Sequence, residues 1–233
     1  MLDPKRLFEF KRVTREDELI ADELFELLRG EAHKSILEVG AGPGVVSNRL
    51  LAHFNSLACR TVVEPQECYS YSGDTQVYRT RWEDYMDDKR YDLVVMSHVI
   101  GHFIIQGRGE IVATGIDFLA EGGSLVIVEN APMEPFWGLN LEIGRRQSTQ
   151  YIVDFDELEE AIKRRGATLI RKDLVLPLYL GRTLKEQLRN FNVLFPVEFD
   201  DEQRKLVLSC WDELVPNRDG WLQLCQRFYV AKR

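Results

Sequence analysis

The 233-residue chain has little cysteine, no long apolar run and no excess of positive charge. Its four cysteines, Cys59, Cys68, Cys210 and Cys225, are scattered with no CxxC or CxxH spacing. That pattern argues against a disulfide framework and a zinc ribbon, and it fits reduced thiols in a cytosolic protein. No stretch approaches the ~20 apolar residues that span a bilayer. The opening MLDPKRLFEFKRV is charged throughout and lacks the apolar core of a signal peptide. A cytoplasmic protein without a membrane partner is expected. Lys and Arg number 30 against 38 Asp and Glu, a formal charge of −8. The overall basic bias of a phosphate-reading protein is missing, so nucleic acid is not the expected partner. The basic clusters Lys5–Arg6, Lys11–Arg12, Arg145–Arg146 and Lys163–Arg165 read as solvated faces. Repeats, low-complexity tracts and linkers rich in Pro, Gly or Ser are also lacking, which predicts a single domain over 1–233.

What is present is an alternation of strand-like and helix-like segments. An amphipathic helix is predicted over Glu16 to Leu28, with Leu19, Ile20, Leu24, Leu27 and Leu28 on one stripe. Strands follow at about 35–39 and 60–64, then a weaker one at QVYR, a continuous apolar one at YDLVVM, and GSLVIVE after a Gly122–Gly123 turn. Helices are predicted at about 44–54, 66–71 and 108–119. Asp154 or Asp156 can cap the helix DELEEAIKRRG, which stops at Gly166. ATLIRKDLVLP is the next strand. Amphipathic segments at about 183–194 and 200–212 precede a closing strand around 222–231. This order predicts an α/β fold: a Rossmann-like open twisted sheet of about seven mostly parallel strands with helices on both faces. Two additions are expected, an N-terminal lid within 1–30 and a helical insertion over 181–215.

The most informative segment is SILEVGAGPGVV, residues 35–46. A strand entering a helix through Gly40, Gly42 and Gly44 leaves backbone N–H groups free, so a ligand can lie against bare backbone. An acid, Glu64, ends the next strand-like run, TVVEP. A dinucleotide site would want a further glycine at 45, and that residue is Val. The pattern Glu38-x-Gly-x-Gly-x-Gly44 resembles the first motif of class I S-adenosylmethionine-dependent methyltransferases. Glu64, RWEDY, YDLVVMSHVIGHF and GGSLVIVE continue the likeness in order. Within that superfamily, VVEPQ and QYIVDFDELEEAIKRRGATL resemble histamine N-methyltransferase and related small-molecule enzymes.

The resemblance implies a cofactor, S-adenosylmethionine, released as S-adenosylhomocysteine. It implies that Glu38, Gly40, Ala41, Gly42, Gly44, Glu64, Pro65, Trp82, Glu83 and Ser97 surround that cofactor, with Glu64 accepting from the ribose cis-diol. Methyl transfer needs chiefly a well-placed nucleophile and exclusion of water. His98 and His102, at and just beyond the end of YDLVVMS, are the candidate bases. Glu129 and Asn130 at the end of the fifth strand, with Phe136 and Trp137 in the loop APMEPFWGLN, are candidate substrate contacts. An acid–amide pair such as Glu129–Asn130 also occurs in magnesium-dependent enzymes, but these want an acid after the fourth strand, where Ser97–His98 stands, so no metal is expected. The expected function is S-adenosylmethionine-dependent methyl transfer to nitrogen or oxygen of a small metabolite. The alternatives are a methyltransferase for tRNA or a protein side chain, and a non-catalytic cofactor-binding partner subunit.

Overall fold

In the computed structural model of the chain, the described residues are 4–54, 59–71, 73–103, 107–146, 153–194, 199–215 and 220–233. A seven-stranded sheet runs through them. Its strands are β1 (Ser35–Val39), β2 (Cys59–Val63), β3 (Thr75–Tyr78), β4 (Tyr91–Ser97), β5 (Leu119–Asn130), β6 (Thr168–Tyr179) and β7 (Trp221–Lys232). The spatial order is β3-β2-β1-β4-β5-β7-β6. The first five strands pair in parallel. Ala131 N donates to Cys225 O and Arg233 N to Gly123 O, so β7 runs antiparallel to β5. The mostly parallel Rossmann-like architecture is thus present. Central strands covered on both faces read as unbroken apolar runs; Leu93 to Met96 and Leu125 to Val128 are all completely buried.

The helices are α1 (Pro4–Thr14), α2 (Glu16–Leu27), α3 (Val45–His53), α4 (Arg108–Asp117), α5 (Phe136–Arg146), α6 (Phe155–Arg164), α7 (Leu184–Phe191), α8 (Asp201–Ser209) and the single turn α9 (Trp211–Leu214). By internal contacts the chain forms two compact units. One comprises 1–19, 130–152 and 173–226; the other comprises 20–129, 153–172 and 227–233. The first holds α1, α5 and the 181–215 insertion, and the second holds β1 to β4, the glycine loop and α6. The expected 1–30 segment is divided between them at Leu19. Among the described residues no helix is long and apolar enough to cross a membrane. The side chains of Lys5, Arg6, Arg145 and Arg146 lie outside the described residues.

Side-chain caps explain where three of the helices start. Asp154 caps α6 by accepting from Asp156 N and Glu157 N. Thr183 with Glu186, and Asp200 with Gln203, form capping boxes that start α7 and α8. Three segments differ from expectation. Residues 66–71 are not helical, because the Arg79 guanidinium takes the carbonyls of Gln66 and Tyr69 in an irregular loop. Gly122–Gly123 is not a turn before β5 but a bulge inside it, where the register against β4 shifts. A Cβ on Gly123 would stand 2.9 Å from Tyr91 O, too close for any other residue. APMEPFWGLN is not all loop: after Pro135 it enters α5, which buries Phe136, Leu139 and Ile143 at i, i+3 and i+7.

One polar cluster supports the β3–β4 connection. The hydroxyls of Tyr78, Tyr85 and Tyr91 converge on Asp87 Oδ2 at 3.2, 3.0 and 3.2 Å, and Lys89 N donates to Oδ1. Partial burial acts to raise the Asp87 pKa, but these donors outweigh it and hold the carboxyl below its ordinary value. A depressed native pKa gives stability that is complete above the unfolded value near ~4 and is lost as pH falls through the native one. Asp87→Ala is expected to cost about 2 kcal/mol at pH 7. Urea titrations at pH 7 and pH 3 test this: the gap between native and variant should shrink at the lower pH.

Candidate active site

The glycine loop is shaped by strand register. Pairing sets Glu38 opposite Val62 and Val39 opposite Val63, and Gly40 N continues the ladder to Val63 O at 2.8 Å. Gly40 and Glu64 therefore leave the sheet side by side. Gly40, Gly42 and Gly44 have φ of 63°, 50° and 71°, a region open to glycine and costly for residues with a Cβ. A Cβ on Gly40 would press on Val99, and one on Gly44 would meet Arg60 and the Tyr71 ring. Nothing lies within 4 Å of a Cβ placed on Gly42, so that position faces open space. Gly44 then caps α3 with no side-chain bond to its first-turn N–H groups.

Glu64 is 4% exposed, and both of its oxygens face backbone donors. Oε2 accepts from Gly42 N and Oε1 from Gln66 N, each at 2.9 Å. A carboxylate has about four acceptor sites, so two remain for a diol. Glu38 is buried as well; it accepts from Ser47 Oγ and pairs with Arg60 Nη2 at 3.4 Å. Arg60, on β2, also reaches Asn48 Oδ1 and Gly44 O. Sequence reasoning missed Arg60, Ser47 and Asn48. The sequence offered little signal for Arg60, which stands near the start of the strand CRTVV.

At the end of β4, Ser97 Oγ is buried and has no hydrogen-bond partner among the described residues. His98 follows with φ 53°, one of two non-glycine residues with positive φ among those described. Its N donates to Val128 O at 2.8 Å, which extends the β4–β5 pairing through the bend. For a residue with a Cβ this conformation costs about 1–2 kcal/mol, and such strain gathers at functional positions. His102 ends a 3₁₀ turn (Ile100–His102) and its side chain is exposed. Desolvation by the atoms around the ring, and then the Arg108 charge, lower its pKa, which favours the neutral imidazole.

The other candidates are engaged or distant in sequence from the loop. Glu129 Oε1 accepts from Ile100 N at 2.8 Å and so pins the turn after β4. Trp82 is 4% exposed, stacked on Tyr85 and tilted against Phe118. Its ring belongs to the core, while Glu83 beside it and Pro65 are exposed. Ala41, between Gly40 and Gly42, is partly buried. Asn130 belongs to the other unit, where its Oδ1 accepts from Gln226 Nε2 at 2.9 Å; the same nitrogen donates to Glu16 Oε1. Phe136 is buried edge-on to Phe191, and Trp137 is partly buried.

Comparison with known proteins agrees with this geometry. Residues 12–193 match the methyltransferase domain family, and the chain belongs to it. A putative methyltransferase from Bacillus halodurans superposes with TM-score 0.61 at 13% identity, over 91% of this chain and 97% of that one. The plantazolicin methyltransferase BpumL, solved with a monoazolic desmethylPZN analog and SAH, gives 0.57 at 15% identity, over 98% and 89%. N-methyltransferase NodS from Bradyrhizobium japonicum, solved with S-adenosylhomocysteine, gives 0.53 at 14% identity, over 93% and 86%. At these identities the likeness is one of fold. No curated protein sequence matches the chain.

Proposed function

We propose that this methyltransferase moves the methyl group of S-adenosylmethionine to nitrogen or oxygen of a small metabolite and releases S-adenosylhomocysteine. The observation that carries the reading is the open face of Gly42 beside the buried Glu64 carboxylate, at the carboxyl ends of two parallel strands. The residues present fit an adenosyl donor. Glu64 keeps acceptor capacity for a cis-diol, the first turn of α3 keeps N–H groups free of side-chain caps, and Ser97 Oγ is a buried polar atom that a ligand can satisfy.

When bound, the donor supplies a methyl carbon already activated by its sulfonium. The chain's own work is to hold the nucleophile about 3 Å from that carbon and to keep water out. A neutral nitrogen or oxygen lone pair is required, so an acceptor that arrives protonated needs a base. His98 is assigned that role, because the strained bend places an imidazole at the end of β4. The net charge of −8 supports a small acceptor rather than RNA.

Calorimetry on folded protein should show heat with S-adenosylmethionine and S-adenosylhomocysteine, and silence with both would end this reading. Release of S-adenosylhomocysteine should follow from a panel of small amines and phenols. Turnover seen only with RNA or protein would overturn the small-metabolite assignment. His98→Gly separates strain from chemistry. Its melting temperature should equal the native one or rise by roughly 2–4 °C, while kcat falls about 100-fold or more. Full turnover in that variant would remove the base.

A further inference from the structure

The loop around Gly42 is a turn closed by Gly44 N donating to Ala41 O at 2.8 Å, and two side chains from outside it hold the two peptide units that meet at Gly42. Gly42 joins two peptide units. The Ala41–Gly42 unit is held by its N–H, which donates to Glu64. The Gly42–Pro43 unit has no N–H, because Pro43 lacks one, so its carbonyl is its one hydrogen-bonding group. Tyr71 OH donates to that carbonyl at 2.7 Å.

We propose that Tyr71 is a positioning residue for the methyl donor, a latch that fixes the Gly42–Pro43 peptide and so keeps the open face of Gly42 turned toward the ligand. This rests on the donor reading above. The ring is itself fixed from several sides. It lies against Gly44, where a Cβ would leave it no room. The Arg60 guanidinium stands 5.1 Å from its centroid and that of Arg79 stands 5.6 Å away, within cation–π range. Arg60 is tied to Glu38 and to Gly44 O, while Arg79 is tied to the carbonyls of Gln66 and Tyr69. The latch thus connects the carboxyl ends of β1 and β2 with the segment that follows Glu64. Burial, then the charges of Glu64 and Glu38, push the phenol pKa upward, so the hydroxyl keeps its proton at neutral pH.

Tyr71→Phe deletes the hydroxyl and keeps the ring between its guanidiniums. It is expected to weaken S-adenosylhomocysteine binding by about 5- to 10-fold in calorimetry, the size of one lost hydrogen bond. The KM for the donor should rise by the same factor, with kcat at saturating donor within about twofold of native and the melting temperature nearly unchanged. Tyr229→Phe, which removes a hydroxyl bonded to Glu159 in the same unit, serves as the control and should leave donor affinity as it is. Native binding with an unaltered Kd in Tyr71→Phe would overturn the latch alone. A fall in kcat and melting temperature without a Kd change would also overturn it, since that marks a purely structural tyrosine. Failure of the native protein to bind the donor product would overturn the donor reading and the latch together.

Discussion

Glu64→Ala is expected to lower affinity for S-adenosylmethionine and its product by at least about 100-fold. Hydrogen bonds to a charged group are worth roughly 1.5–3 kcal/mol each, so the loss of two from a diol corresponds to two or more orders of magnitude. The variant also releases Gly42 N, while the Tyr71 bond to Gly42 O and the turn bond from Gly44 N to Ala41 O stay in place. Glu64→Gln is not a mild substitute. Both carboxylate oxygens receive a backbone N–H, from Gly42 and from Gln66, so an amide must turn its NH₂ toward one of these donors. Its affinity should fall nearly as far as that of alanine. Calorimetric titration with S-adenosylhomocysteine decides the matter, and a Kd within about tenfold of native for Glu64→Ala would refute the assignment of Glu64 as the ribose acceptor.

The largest effect on stability is expected one strand over. Glu38 and Arg60 are 2% and 3% exposed, and they pair beneath the loop at 3.4 Å. Breaking a buried ion pair by removing one partner costs about 3–5 kcal/mol, because the remaining charge has lost both water and partner. Glu38→Gln should therefore lower the melting temperature by roughly 6–20 °C for a chain of this size. Arg60→Met alone should do the same. The double variant should recover a large part of the loss, since neither charge is then stranded. A double-mutant cycle in urea with coupling below about 0.5 kcal/mol would show the two residues acting independently. Donor binding should weaken in each single variant as well, because Ser47, Gly44 and Tyr71 share contacts with this pair.

How much was legible in the sequence differs from element to element. The alternation of strands and helices was plain, because Ile36–Leu37 and Leu93 to Met96 form apolar runs that only a doubly covered sheet requires. The three glycines were legible because each needs a positive φ. Glu64 was legible because it stands at the end of a strand directly after the glycine loop's own. Arg60 was not, since an arginine at the start of a strand reads as an exposed edge until Glu38 is known to lie beside it. Tyr71 was also hidden, because the irregular segment between β2 and β3 read as a helix, and so was Arg79, because nothing local to QVYR marks its reach back to the carbonyls of Gln66 and Tyr69. The helix α5 was obscured by Pro135 and two aromatics, although Phe136, Leu139 and Ile143 did repeat at helical spacing. The resemblance set Trp82 among the cofactor contacts, whereas its ring packs in the core against Tyr85 and Phe118.

By itself the sequence determined the seven strands and their order along the chain, the glycine loop and the acid that faces it. Each of these is written in short-range spacing, where backbone sterics and apolar period leave few choices. Only the tertiary structure decided which side chains hold that loop, how Glu38 is neutralised and that the chain bends sharply at His98. Those outcomes depend on parallel register between strands more than twenty residues apart, and no local pattern of residues records it.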